Sequence, residues 1–190
     1  MAAPAQTQTR PADGYWKKAY DSLDDNLRAS ISLARTSKND ILAAVLKTAD
    51  QKREICIHKQ WKVKLPQGEV IIIRDVVEKI AKWVKLFINV GDVAIQYDPS
   101  TAALPWAAVR FILQAAISDT QIEGAMLADL EIIARLISRY RDFERIHVKP
   151  QSSVKTQLED SLTRLYADVL RFLATAVKYF DTTSFSPSSS

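Results

Sequence analysis

The segment DPSTAALPWAAVRFILQA, residues 98–115, decides the fold because it joins two proline turns to a long apolar run. Asp98-Pro99 is typical of a helix start, since aspartate caps the first amide groups and proline is tolerated in the first turn. Leu104-Pro105-Trp106 offers a second start a few residues later. Because two prolines cannot both lie deep inside one straight helix, the sequence predicts a corner over 98–105 that leads into a helix over 106–118.

Apolar residues recur at three- and four-residue steps on both sides of this segment, which is the pattern of amphipathic helices. The steps predict one helix over 15–34, one that starts after Ser37 or Asn39, and further helices over 74–91, 118–146 and 152–180. Gly91 is placed to close its helix, and a kinked continuation toward Tyr97 stays open. Between Pro66 and Arg74, the β-branched run EVIII allows a short strand or an extended entry into the helix.

Long helices joined by short loops pack against each other, so the sequence predicts an all-α, antiparallel bundle of about five to seven helices. Four glycines and seven prolines in 190 residues, with 47% hydrophobic residues, fit this class. We expect one domain over residues 13–181. The polar ends, 1–12 and 182–190, are expected to be flexible.

The composition places the chain among soluble proteins. No signal-peptide core and no uninterrupted apolar stretch of membrane-spanning length occurs in the sequence, which predicts a cytoplasmic protein. The one cysteine, Cys56, cannot form an internal disulfide and is interpreted as a buried thiol.

Sequence signatures of catalysis and of cofactor binding are missing. The two histidines, His58 and His147, do not form a ligand pair, and the isolated glycines build neither a P-loop nor a dinucleotide-binding turn. There is no Gly-x-Ser-x-Gly elbow, zinc finger or RNA-binding motif. We therefore expect no enzyme activity, no cofactor, no metal and no nucleic-acid partner. A hydrolase remains an alternative only if residues distant in sequence converge.

Positive charge is concentrated between residues 52 and 85, where nine Lys or Arg face four acids. Three of these lysines, Lys79, Lys82 and Lys85, follow each other at three-residue steps beside Trp83. Such a row is a candidate contact for an anionic membrane surface or an acidic partner. The alternative is a solvated helix face that uses lysine.

Three stretches carry a family resemblance: KIAKWVKLFINVGDVAIQYDPSTAALPWAAVRFILQAAISD (79–119), GAMLADLEIIARLISRYRDFE (124–144) and LTRLYADVLRFLATAVKYF (162–180). The chain resembles the N-terminal domain of fungal NACHT-type STAND NTPases, the NOD-like receptors of fungi. The resemblance is strongest in a motif made of Gly91, Asp92, Tyr97, Asp98, Pro99, Leu104, Pro105, Trp106 and Arg110. Elementary packing arguments give this motif a structural role, with Arg110 reaching Asp92, Asp98 or water.

The resemblance implies a modular receptor in which an N-terminal effector domain precedes a NACHT domain and a repeat sensor. It places the chain near the HeLo-like and Goodbye domains, some of whose relatives permeabilise membranes during regulated cell death. It also implies that the domain forms homo-oligomers on activation and has a downstream NACHT domain as partner if the chain is a fragment. The alternative function is a lipid- or small-ligand-binding bundle that acts as an adaptor.

Overall fold

The computed structural model describes residues 12–34, 41–65, 68–91, 103–116, 121–147 and 155–184. Within these ranges, seven helices and one β-hairpin confirm the predicted all-α bundle. The elements are α1 (Ala12–Asp21), α2 (Asp25–Leu33), α3 (Ile41–Lys59), β1 (Lys62–Lys64), β2 (Val70–Ile72), α4 (Ile73–Gly91), α5 (Leu104–Ala115), α6 (Gln121–His147) and α7 (Lys155–Ser184). Most of the two predicted flexible ends lies outside the described residues.

Helix α5 lies at the centre of the bundle. Its residues from Leu104 to Val109, together with Ile112 and Leu113, are all buried. A helix with apolar residues around most of its circumference must be covered on most of its sides, and on α5 only Gln114 is exposed. Helices α3 and α7 pack on α5, and α2 and α6 also touch it.

The remaining elements form two groups around α5. Helix α4 packs between α3 and α6, and the hairpin lies against α4 and α6. Helices α1 and α2 pack on α7. The apolar residues of α4 lie on its inner side, where Val77, Ile80, Val84 and Phe87 are buried.

Neighbouring helices do not all run antiparallel. Helices α3 and α4 do, because the short hairpin returns the chain at the end of α3. Helices α4 and α6 run in the same direction. Their starts lie at the same end, where Val63 pairs with Ile71 and also packs on Gly124, and Trp83 further along α4 contacts Glu131. The segment between α4 and α6, which includes α5, returns to the end of the bundle where α4 starts.

The hairpin contains β2, the short strand that the sequence allowed, and β1, a second strand that the sequence did not predict. Strand β2 is the predicted extended entry into α4, whereas β1 (KVK) has too few residues for a clear period of two. Gly68 has a φ of 90°, a left-handed value that suits glycine in the turn. The Leu65 amide donates to the Glu69 carbonyl at 2.7 Å and closes the turn.

The prediction of one helix over 15–34 is wrong, because the chain breaks between α1 and α2. Asp24 is the N-cap of α2, where its Oδ1 accepts from the Leu27 amide at 2.9 Å. An aspartate side chain that satisfies a free amide stabilises a new helix start, so the apolar steps continue while the backbone does not. Helix α5 also differs from its predicted bounds of 106–118, since Pro105 is accommodated in the first turn and Ala116 is extended.

Candidate functional site

The described part of the sequence motif lies in the core. Leu104, Pro105 and Trp106 are buried at the start of α5, and the Trp106 ring meets Phe87 of α4 edge to face at 5.1 Å. Aromatic pairs in this geometry stabilise by about 1 kcal/mol beyond their buried area. These three residues therefore fix the junction between α4 and α5.

The other motif residues are only partly visible. Gly91 is the last described residue of α4, and the kinked continuation toward Tyr97 that the sequence also allowed lies outside the described residues. Arg110 is half-buried in the middle of α5, and its Nε is shielded from solvent. Asp92, Tyr97, Asp98 and Pro99 lie outside the described residues. The predicted pairing of Arg110 with Asp92 or Asp98 stays a prediction.

A buried lysine caps the central helix, and sequence reasoning missed it. Lys52 of α3 is 4% exposed, and its Nζ donates to the carbonyl oxygen of Ala116 just after α5. A cation at a helix C-terminus satisfies a free carbonyl and meets the negative end of the helix dipole. Burial lowers the pKa of Lys52, while nearby Cys56 and Glu123 act in the opposite direction. Cys56 is buried, as interpreted from the sequence.

A second buried polar cluster fastens α1 to the rest of the bundle. The rings of Trp16 and Tyr166 stack at 3.9 Å, and the Tyr166 hydroxyl donates to the carboxylate of Glu144, which is 4% exposed. Tyr15 donates to Glu159 at 2.9 Å, and burial together with this carboxylate raises the pKa of Tyr15. No sequence pattern indicates this cluster because its members come from α1, α6 and α7.

The predicted lysine row is exposed. On α4, the side chains of all three lysines are exposed to solvent: Lys79, Lys82 and Lys85. Lys82 and Lys85 border a cleft of about 280 Å³ between α3 and α4, which Asp50 and Glu78 also line. The row is accessible to a partner, and acidic side chains lie beside it.

A larger groove separates α6 from α7, and we call it the α6–α7 groove. Its volume is about 780 Å³, and it is lined by Arg135, Leu136, Arg139, Tyr140, Phe143, Leu158, Ser161, Leu162 and Leu165. Grooves of this size, apolar with a few polar groups, are typical of small-ligand sites. The sequence does not indicate this groove, because the helical steps show only that each of these residues lies on a half-buried face.

Exposed aliphatic side chains concentrate at the end of the bundle that carries the hairpin. This hairpin end consists of Ile55 (47% exposed), Ile57 (45%), Val70 (57%), Ile72 (37%) and Ile122 (58%). The residues come from the last turns of α3, from β2 and from the start of α6, which meet there. Val70 and Ile72 share the outer face of the hairpin with Lys62 and Lys64, whereas Val63 on the other face packs on α6. Exposed apolar side chains at one end of a bundle are candidates for an interaction surface.

The described ranges also bear on metal binding and on membrane crossing. No group of three or more His, Cys, Asp or Glu side chains in this part of the chain is arranged to hold a metal ion. Among the helices of the described residues, none has both the length and the apolar character that crossing a bilayer requires.

Comparison with known proteins gives one family match. The family described as a domain of unknown function (DUF7708) matches residues 75–188, which is more than half of the chain. The match runs from the start of α4 through α5, α6 and α7, and so includes the central helix and the α6–α7 groove. No curated protein and no solved structure matches the chain significantly.

Proposed function

We propose that this chain, which belongs to the DUF7708 family, is the N-terminal effector or signalling domain of a fungal NOD-like receptor. In this proposal the domain is not an enzyme and acts by self-association in regulated cell death or immune-type signalling. The resemblance, which runs from about Trp16 to Phe180 and is strongest between Gly91 and Arg110, supports the receptor assignment. A downstream NACHT domain would be its covalent partner in the parent protein.

The exposed aliphatic residues of the hairpin end are the observation that supports self-association. Val70 and Ile122 are each more than half exposed, and they lie at one end of the bundle with three further aliphatic residues. Burying such side chains against a second copy stabilises an oligomer by roughly 25 cal/mol for each Å² of apolar surface removed from water. A second copy presents the same side chains, so a two-fold contact is self-complementary.

Basic residues next to the hairpin end influence whether the oligomer is closed or forms fibres. Lys62 and Lys64 of β1 are exposed beside the apolar side chains of β2. Lysine on the edge of a small sheet opposes open-ended strand pairing, because like charges would meet. This favours closed oligomers formed through the aliphatic side chains over fibres formed through the strands.

Membrane contact is the proposed output of the oligomer. The exposed row Lys79, Lys82 and Lys85 would approach anionic lipid in the cytoplasm, and each assembled copy would add its own row. Because surface binding increases with each lysine near the lipid, clustering several rows would convert weak contacts into a stable one.

The experiment that tests the proposal is light scattering at increasing concentrations of the whole chain. Wild type is expected to form oligomers, and the double variant Val70→Lys/Ile122→Lys is expected to stay monomeric. Leu33→Lys is the matched control, since Leu33 is 55% exposed on α2, which packs on α7 and α5 instead of the hairpin. A wild type that stays monomeric at every concentration would overturn the proposal.

A further inference from the structure

The floor of the α6–α7 groove is built for an apolar chain. On α6, Leu136, Tyr140 and Phe143 follow each other at helical steps, and Leu158, Leu162 and Leu165 face them from α7. Leu162 is 2% exposed and forms the bottom, whereas the other five are half-buried. Helices α6 and α7 make few contacts with each other, so these side chains line an open space.

The rim of the groove carries two guanidinium groups, those of Arg135 and Arg139. Within the described residues, neither Arg135 nor Arg139 forms an ion pair. Glu131, one turn before Arg135, instead accepts a hydrogen bond from Trp83 Nε1 at 2.7 Å. The guanidinium of Arg139 lies over the Trp83 ring at 5.5 Å, which positions it while leaving its N–H donors available.

This combination of surfaces selects a ligand class. A guanidinium presents paired N–H donors that match a carboxylate or a phosphate, and two neighbouring ones attract a single anionic head group strongly. The six floor residues offer only carbon and one phenol to the rest of the ligand. From Arg135 to Phe143 the groove extends roughly 12 Å along α6, at 1.5 Å for each residue. We propose that the α6–α7 groove binds a single-chain amphiphile with an anionic head, held by Arg135 and Arg139.

The proposal is independent of self-association, because it uses α6 and α7 side chains and none from the hairpin end. A carboxylate head and a phosphate head offer the same recognition chemistry. Their sources differ, since a fatty acid carries the first and a lysophospholipid or an alkyl phosphate carries the second. The test therefore includes both head groups on one chain length.

Calorimetric titration of the purified whole chain tests the site. The probes are dodecanoate, dodecyl phosphate and uncharged dodecanol, each kept below the concentration at which it aggregates. We expect saturable binding of one or both anions at one site, with dodecanol at least tenfold weaker. If dodecanol binds as tightly as the anions, the arginines do not recognise a head group and the proposal is wrong.

Variants locate the bound ligand in the groove. Arg135→Gln/Arg139→Gln should weaken anion binding at least tenfold, and Leu165→Glu should abolish it by placing charge on the floor. Arg171→Gln is the matched control, because Arg171 is exposed on α7 and pairs with Asp168 at 2.7 Å. Circular dichroism checks that each variant keeps its helices. If the glutamine variant does not fold, Arg135→Lys/Arg139→Lys, which preserves the charge, is titrated in its place. Equal affinity in all folded variants, or binding to anionic vesicles without binding to the monomeric probes, would overturn the proposal.

Discussion

At the scale of single residues, the buried polar side chains are the features of this protein that are most sensitive to substitution. Lys52 and Glu144 are each only 4% exposed, although lysine and glutamate are among the residue types least often buried. Each has a partner from a distant part of the chain: the Ala116 carbonyl for Lys52 and the Tyr166 hydroxyl for Glu144. Since a sequence pattern carries no information on such pairs, neither could be predicted, and both can be tested by substitution.

Replacing Lys52 with methionine should change how stability depends on pH. Burial lowers the pKa of Lys52 from its usual 10.5, so between the lowered value and 10.5 only the unfolded chain keeps the proton. The stability of the wild type therefore rises with pH through this window relative to Lys52→Met. Urea denaturation of both proteins from about pH 7 to about pH 10.5 measures the difference. The comparison cancels Tyr15, whose raised pKa lowers stability in strong alkali. A difference that does not change with pH would contradict the assignment.

Tyr166→Phe removes one hydroxyl and leaves the stacked ring in place. Glu144 loses a donor while it stays buried near Arg141, so we expect a loss of about 1–3 kcal/mol in the free energy of unfolding. Tyr20→Phe is the control, because the Tyr20 hydroxyl only approaches Ser32 at 3.5 Å. Denaturant unfolding should separate the two variants clearly, and equal losses would show that the Tyr166–Glu144 contact contributes little.

At the scale of elements, the helices were predicted best where the apolar period is long and the ends are marked. Helix α4 was predicted over 74–91, close to its observed range of Ile73–Gly91. The α1–α2 break was missed because Asp24 can be either a polar-face residue or a cap, and a single sequence does not distinguish the two. Strand β1 was missed because its pairing with β2 is a contact between residues rather than a pattern within one segment.

Gly124→Ala tests the packing of the hairpin on α6. An added Cβ would come within 2.7 Å of Val63 Cβ, closer than atoms of two side chains can pack. Overpacking costs about 1–3 kcal/mol, against a gain of about 1 kcal/mol from the higher helix propensity of alanine. The variant should therefore be less stable in thermal unfolding.

The Val63→Ala background is the control for this substitution. With the methyl groups of Val63 removed, only the Cβ of residue 63 still lies too close to the added Cβ. Gly124→Ala should therefore cost less than in the wild type, and a double-mutant cycle should give a clear coupling energy. Additive losses would mean that α6 and the hairpin do not approach each other as closely as described.

For the whole molecule, the class of fold followed from composition and period, and the arrangement of the helices did not. The sequence predicted a helix after the corner at 98–105, but not that this helix, α5, is the centre of the bundle. That α4 and α6 run in the same direction, and that α6 and α7 leave a groove between them, depends on contacts between distant residues. The candidate surfaces were therefore found only in part: the exposed lysine row was predicted, and the hairpin end and the groove were not.

The proposed contact of the lysine row with a membrane surface can be tested by substitution. Changing Lys79, Lys82 and Lys85 together to glutamine should weaken binding to anionic vesicles by up to about 3 kcal/mol, or about 1 kcal/mol for each charge. Added salt should produce the same loss in the wild type. The control changes three exposed lysines on other helices, Lys18, Lys47 and Lys178, and should bind more tightly than the row variant. Vesicle sedimentation measures both, and equal binding of the two variants would exclude the row as the contact.

Self-association through the hairpin end is the central claim, and sedimentation equilibrium of the whole chain tests it most directly. The mean mass of the wild type and of Leu33→Lys should rise above 21.4 kDa with concentration, while Val70→Lys/Ile122→Lys should remain at the monomer mass. Oligomers that persist in the double variant would contradict the assignment of the hairpin end. A wild type that keeps the monomer mass throughout would contradict self-association itself.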